Sequence, residues 1–156
     1  MEKIAVFPGS FDPFTIGHQS IVKRALPLFD KIIIAIGFNN QKPGYFPIRR
    51  RVAWISKVFS GEPKVSIEIY EGLTVDFCRK NNSGYILRGL RTSADFEYER
   101  AVCQINREMS NEIESVFFLT LPEHTHITST LVREIHQHGG NIEKFVPAGM
   151  MKKHQK

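Results

Sequence analysis

Apolar residues along this chain follow two alternating rhythms. Short apolar runs recur near residues 3–7, 31–37, 64–70, 85–88 and 115–120, and each predicts a β-strand. The run Ile32-Ile33-Ile34-Ala35-Ile36 is apolar without interruption, as a strand covered on both faces requires. Between the runs the spacing becomes helical. Ile21, Val22, Ala25, Leu28 and Phe29 define a first helix, with Pro27 placed to kink or shorten it. Ile48, Val52, Ile55 and Phe59 define a second over 47–59, and a shorter one covers 73–82. A helix over 94–109 opens with Thr92-Ser93-Ala94-Asp95, a capping-box pattern. A last helix follows Thr128-Ser129-Thr130 and stops at Gly139-Gly140.

Strands that alternate with helices imply right-handed crossovers and a mainly parallel five-stranded sheet flanked by helices. The expectation is one α/β domain over residues 1–156, ending in a basic tail at about 150–156. No linker, internal repeat or low-complexity segment interrupts it. The loops that follow the strands then gather at one sheet edge, where open α/β folds bind ligands. Four segments converge there: 8–17, 38–46, 89–93 and 121–129.

Composition narrows this picture only slightly. The 156 residues are 42% hydrophobic and 24% charged, as in an ordinary globular domain. No apolar run approaches a membrane span, and the N-terminus has no signal-peptide pattern. The net charge of +5 suits anionic ligands. Part of it lies in the tail lysines Lys152, Lys153 and Lys156. Cys78 and Cys103 lack CxxC spacing and fall in helical patterns, so buried thiols in a reducing cytoplasm are expected rather than a disulfide.

The candidate chemistry starts at Gly9-Ser10-Phe11-Asp12-Pro13-Phe14-Thr15-Ile16-Gly17-His18. This loop joins a buried strand to a helix start, where backbone N–H groups and the helix dipole attract anions. The other three segments carry matching groups. Lys42 lies in Asn39-Asn40-Gln41-Lys42-Pro43, and Arg88 and Arg91 lie in Leu87-Arg88-Gly89-Leu90-Arg91-Thr92. Thr128, Ser129 and Thr130 begin another helix. Arginine supplies planar two-point recognition and lysine a movable point charge, and a polyphosphate can use both. The P-loop pattern GxxxxGK[ST] and the dinucleotide pattern GxGxxG after a strand are both absent. No Ser–His–Asp or Cys–His set has recognisable spacing.

These residues resemble a family. Thr15-Ile16-Gly17-His18 is similar to the T/HxGH signature of the nucleotidyltransferase superfamily, whose fold is Rossmann-like. Arg88 to Thr92 with Asp95 to Glu99, and Ile127-Thr128-Ser129-Thr130-Leu131-Val132-Arg133-Glu134, resemble elements of the bacterial phosphopantetheine adenylyltransferases. The resemblance covers essentially the whole chain. It implies in-line transfer of the adenylyl group of ATP, with Mg2+, to 4′-phosphopantetheine. The products would be dephospho-coenzyme A and pyrophosphate, with no covalent intermediate. It implies that His18 stabilises the transition state and that Ser10 and Lys42 contact the meeting phosphates. It gives 4′-phosphopantetheine to Ser10, Lys42, Thr74 and Arg88. It gives ATP to Ser10, Phe11, His18, Gly89, Leu90, Arg91 and Glu99, and to His124, Thr125, His126, Ile127, Thr128, Ser129 and Thr130. It further implies a cytoplasmic homohexamer inhibited by coenzyme A, with no nucleic-acid or membrane partner. This chain departs from the family pattern at His124, usually a large aromatic, at Thr74, usually apolar, and at Arg49-Arg50-Arg51, usually acidic.

Plainer readings stand beside these. His18 alone could be an ordinary helix-start histidine, and Lys42 a solvated loop lysine. Arg88 and Arg91 could pair structurally with Asp95 or Glu99. Arg49 to Arg51 read as a solvated helix face and Trp54 as core or interface. The pairs His124/His126 and His136/His138 lack further zinc-type ligands, so no protein-held metal is expected. The competing functions are a related nucleotidyltransferase using another phosphorylated acceptor, such as nicotinamide mononucleotide, and a non-catalytic basic nucleic-acid-binding module. The second lacks interleaved RNA-binding aromatics.

Overall fold

The computed structural model describes residues 1–151, so the tail lysines Lys152, Lys153 and Lys156 lie outside the described residues. Five strands form one sheet: β1 (Ile4–Gly9), β2 (Lys31–Gly37), β3 (Val65–Tyr70), β4 (Tyr85–Leu90) and β5 (Glu114–Leu119). Every pairing is parallel, and the order is β3-β2-β1-β4-β5. Five helices connect and follow them: α1 (Ile16–Ala25), α2 (Ile48–Val58), α3 (Thr74–Lys80), α4 (Ser93–Met109) and α5 (Ser129–Gln137).

The alternation of side chains along the strands divides the core in two. Ala5, Phe7, Ile32, Ile34, Ile36 and Leu87 point to one face, toward α1, α2 and α5. Ile4, Val6, Ile33, Ala35 and Ile86 point to the other, toward Val75, Phe77 and Cys78 of α3. That is why the apolar run in β2 has no polar partner rhythm: both of its faces are covered. Trp54 is buried in the first cluster, as expected of a core residue.

Pro27 shortens the first helix as expected, ending α1 at Ala25, and Leu26–Leu28 continue as a 3₁₀ turn. Three other local expectations change. β4 runs on through Gly89 and Leu90, so only Arg91 and Thr92 remain between it and α4. Thr92 caps α4 by accepting from the Asp95 N–H, but Asp95 accepts from the Arg91 N–H rather than closing a reciprocal box. Of the two cysteines, Cys78 is buried and Cys103 only half-buried. Glu99 is the one buried residue of α4, while Tyr98, Ile105 and Met109 are exposed.

The strand order creates the position of the site. The chain passes from β1 outward to β2 and β3, then returns to β4 on the other side of β1. The turns after β1 and β4 therefore diverge and leave a crevice at their carboxyl ends. Gly89 lets Ile21 of α1 pack over it, since a Cβ there would meet Ile21 Cδ1.

Candidate active site

A cleft of ≈ 320 Å³ fills that crevice. β1 and its loop contribute Ser10 and Phe11, α1 contributes His18, and the end of β4 contributes Arg88, Gly89 and Arg91. The segment before α5 contributes His124, Ile127, Thr128, Ser129 and Thr130. Three of the four convergent segments thus share one cavity.

His18 is positioned by the backbone. Thr15 is the N-cap of α1, and its hydroxyl accepts from the His18 N–H at 3.4 Å. In return His18 Nδ1 accepts from the Thr15 N–H at 3.0 Å, closing a capping box. An Nδ1 that accepts is unprotonated, so the neutral ring carries its proton on Nε2. Phe11 and Phe14 flank the ring, with centroids at 5.0 and 5.3 Å. Burial, then the charges of Arg91 and Arg88, push the His18 pKa down to about 3. His18 is therefore a neutral Nε2–H donor at neutral pH, on a cleft wall that includes two arginines. Such a donor can bond a phosphate oxygen without placing a charge on the buried ring.

Phe11 has a left-handed backbone, φ 46°, which a non-glycine residue rarely adopts. Its ring is packed against Phe7, Phe14 and His18, and this packing offsets the cost. Across the cleft, Thr128 caps α5 by accepting from the Leu131 N–H at 3.1 Å. Ser129 and Thr130 of the first α5 turn line the cavity, where a helix start carries N–H groups without intrahelical partners. Ser129 Oγ donates to Pro13 O at 2.9 Å, which ties α5 to the β1 loop.

The two arginines are not free charges. Arg88 donates to both oxygens of Glu99, at 2.9 and 2.5 Å, and to Pro8 O at 2.8 Å. Arg91 lies 3.3 Å from Asp95. The ion pairs allowed by the sequence are therefore present, and Arg88 also lies between two cavities. A second cavity of ≈ 160 Å³ adjoins the cleft across Arg88 and is lined by Tyr70, Thr74, Tyr98, Glu99 and Asn106, among others. Glu99 thus faces this second cavity and not the first.

The remaining candidates lie elsewhere. Lys42 is exposed and lines neither cavity. Leu90 is buried beneath the site, and Thr125 and His126 stand outside both linings. His124 reaches the cleft with a buried Nδ1 that has no hydrogen-bond partner. Sequence reasoning missed the roles of Thr15 as a cap and of Arg51 as a buried joint, and named Asp95 only as a possible arginine partner. The Thr15-to-His18 spacing is itself a capping-box pattern and could have disclosed the first. Arg51 corrects the solvated-face reading of Arg49 to Arg51: it is 3% exposed and bonded on every side. Its position three residues after Ile48 and four before Ile55 puts it on the core stripe of α2.

The cytidylyltransferase-like family pattern matches residues 6–135. The phosphopantetheine adenylyltransferase of Christiangramia forsetii is 50% identical over 97% of this chain and 99% of its own length. That of Phocaeicola vulgatus is 48% identical over 94% of this chain and 96% of its own. The chain belongs to the phosphopantetheine adenylyltransferase family. Among solved structures, a putative nicotinate-nucleotide adenylyltransferase from Vibrio parahaemolyticus superposes with a TM-score of 0.67 at 19% identity, covering 96% of each chain. A bifunctional NMN adenylyltransferase/ADP ribose pyrophosphatase from Francisella tularensis, complexed with AMP and a manganese ion, gives 0.67 at 21% identity, over 94% of this chain and 44% of that one. These two likenesses establish the shared fold. Of the motif residues, Arg88, Gly89, Arg91, Asp95, Ile127, Thr128, Ser129 and Thr130 line the cleft, and Arg88, Tyr98 and Glu99 the second cavity.

Proposed function

We infer that the chain transfers the adenylyl group of ATP to 4′-phosphopantetheine, giving dephospho-coenzyme A and pyrophosphate. The observation that carries this reading is the neutral His18 Nε2–H donor in a cleft bounded by two helix N-termini. The chain around that cleft is half-identical to named phosphopantetheine adenylyltransferases over nearly its whole length.

In the proposed reaction a phosphate oxygen of 4′-phosphopantetheine attacks the α-phosphorus of ATP in line. The new P–O bond forms as the bond to the β-phosphate oxygen breaks, and pyrophosphate leaves. Catalysis then consists of positioning and charge stabilisation. His18 Nε2–H bonds an α-phosphate oxygen as negative charge grows there. The α5 N-terminus with Thr128, Ser129 and Thr130, and Arg91, cradle the ATP phosphates. Gly89 and the backbone N–H of Phe11 allow close approach, while Leu90, Thr125 and His126 support the nucleotide walls. His124 and Ile127 line the nucleoside end.

Arg88, at the junction of the two cavities, takes the phosphate of 4′-phosphopantetheine, with Glu99 holding its guanidinium in plane. Thr74 lines the cavity for the pantetheine arm. Ser10 stands at the meeting point, and Lys42 swings inward from its exposed loop when both phosphates are present. Magnesium fits as a passenger of ATP, neutralising phosphate charge. The single carboxylate of the cleft, Asp95, is engaged by Arg91, and no cluster of three or more His, Cys, Asp or Glu residues exists among the described residues. The exposed Tyr98, Ile105 and Met109 on α4 support assembly with further copies, and a homohexamer is the proposed state. Cytoplasmic location and inhibition by coenzyme A complete the proposal. No described helix is long and apolar enough to cross a membrane.

Incubation with ATP, magnesium and 4′-phosphopantetheine should release pyrophosphate and form dephospho-coenzyme A. A parallel panel with nicotinamide mononucleotide and glycerol phosphate tests acceptor choice. Turnover of one of those in preference to 4′-phosphopantetheine would overturn the assignment.

A further inference from the structure

Beneath the phosphate-facing loops lies a buried polar joint that the reaction itself does not use. Arg51, 3% exposed, and Asp12, 5% exposed, form its centre, with Arg51 Nε 3.9 Å from Asp12 Oδ1. Each Arg51 nitrogen has a different backbone target. Nη1 donates to Ser10 O at 2.7 Å, Nη2 to Pro43 O at 3.1 Å and Nε to Phe46 O at 3.0 Å. Asp12 accepts from the Tyr45 and Phe46 N–H groups, at 2.7 and 2.9 Å. Arg133 of α5 donates to Asp12 O at 2.8 Å. Three segments therefore meet at one charge pair: the Ser10 loop and α5, which line the cleft, and the Lys42 loop outside it.

Gly44 shows how tightly the Lys42 loop is drawn onto this joint. Its φ is +90°, and a Cβ there would lie 2.9 Å from both Arg51 Nη2 and Asp12 Oδ2. Of the three bonded carbonyls, Ser10 O belongs to a cleft residue, and Pro43 O to the residue directly after Lys42.

We propose that Arg51 is a positioning residue for adenylyl transfer: its guanidinium fork sets the separation of Ser10 and Lys42, and thereby aligns the attacking phosphate with ATP. The proposal rests on the adenylyl-transfer reading for its kinetics but not for its geometry. Arg51 touches neither cavity. Its effect should therefore fall on alignment and not on nucleotide binding. A displacement of about 1 Å at a reacting centre can cost roughly 100-fold in rate. Lysine keeps the charge but cannot hold three carbonyls in one plane.

The test uses Arg51→Lys and Asp12→Asn in the full chain. At saturating substrates, each folded variant should lose roughly 10–100-fold in kcat, with the KM for ATP within about threefold of the parent. The split matters, because a variant that is only less folded loses active enzyme without altering alignment in what remains. Rates are therefore normalised to folded protein. Amide exchange reports the joint without any reaction: the Tyr45 and Phe46 amides should lose protection while β1 and β2 keep theirs. Should Arg51→Lys fail to fold, Asp12→Asn decides alone, since it preserves size and removes one acceptor. A normalised kcat within twofold of the parent, or Tyr45 and Phe46 amides as protected as before, would overturn the proposal. Absence of pyrophosphate release by the parent enzyme with every acceptor would instead count against the reaction, leaving the exchange result to judge the joint.

Discussion

The turn after β1 and the turn after β4 both present cations or donors to the same cleft, but they are built on opposite plans. After β1, His18 is held through its Nδ1 by a backbone N–H, which leaves Nε2–H as the ring's donor. After β4, Arg88 and Arg91 are held by carboxylates, Glu99 and Asp95. The first arrangement keeps a neutral donor that costs nothing to turn toward phosphate. The second keeps charge but neutralises it until an anion competes for the guanidinium. A basic residue in a motif is thus not yet a free charge. What differs between the two turns is who holds the side chain, backbone or carboxylate.

The contrast breaks most visibly at His18. His18→Ala should lower kcat by about 10²–10³-fold while ATP binding changes little, as measured by steady-state kinetics and direct titration. His18→Gln, whose amide can reach the Nε2 position, should retain more activity than His18→Asn. An equal loss of kcat and ATP affinity in a folded variant would contradict the transition-state role.

At the β4 turn the larger effect is on stability. Arg88→Met leaves Glu99, whose side chain is 9% exposed, without its partner. The expected cost is about 2–4 kcal/mol in chemical denaturation. Arg91→Met, at a more exposed pair, should cost about 1 kcal/mol or less and show itself as a raised KM for ATP. Equal destabilisation by the two would remove the distinction drawn between the pairs.

A pH series sharpens the comparison further. The folded pKa of His18, about 3, lies below its ordinary value of 6.5. As pH falls, the unfolded chain takes up a proton that the folded one refuses. Stability is therefore full above about pH 6.5 and declines toward pH 3. Between pH 7 and 5 the loss assigned to His18 is about 1–2 kcal/mol, and His18→Gln should abolish that share. An unchanged pH slope in the variant would place the titration elsewhere. A comparably small effect belongs to the helix facing both turns. Thr128→Ala removes the α5 cap and should cost about 1 kcal/mol in thermal unfolding, with a modest rise in the KM for ATP.

Much of this was readable along the chain. β2 was legible because five successive apolar residues admit few alternatives, and Pro27 foretold the early end of α1. The strand-to-helix glycine loop placed His18 correctly at a helix start. Arg51 was misread because two neighbouring arginines are indeed exposed, and a run of like charges conceals the one member on the apolar stripe. Lys42 was placed with the phosphates by resemblance, yet its side chain is exposed and lines neither cavity.

By itself the sequence determined the alternation of strand and helix, the edge on which the loops gather, and the motifs that place the chain in its family. Those depend on local periodicity and on contiguous residues. Only the tertiary structure decided the strand order β3-β2-β1-β4-β5, which opens the cleft between β1 and β4. It also decided that Arg88 answers to Glu99, that His18 is neutral, and that Arg51 joins Ser10 to Pro43 across 41 and 8 residues of chain. Those outcomes depend on burial and on partners distant in sequence, and neither is written in the spacing of any one segment.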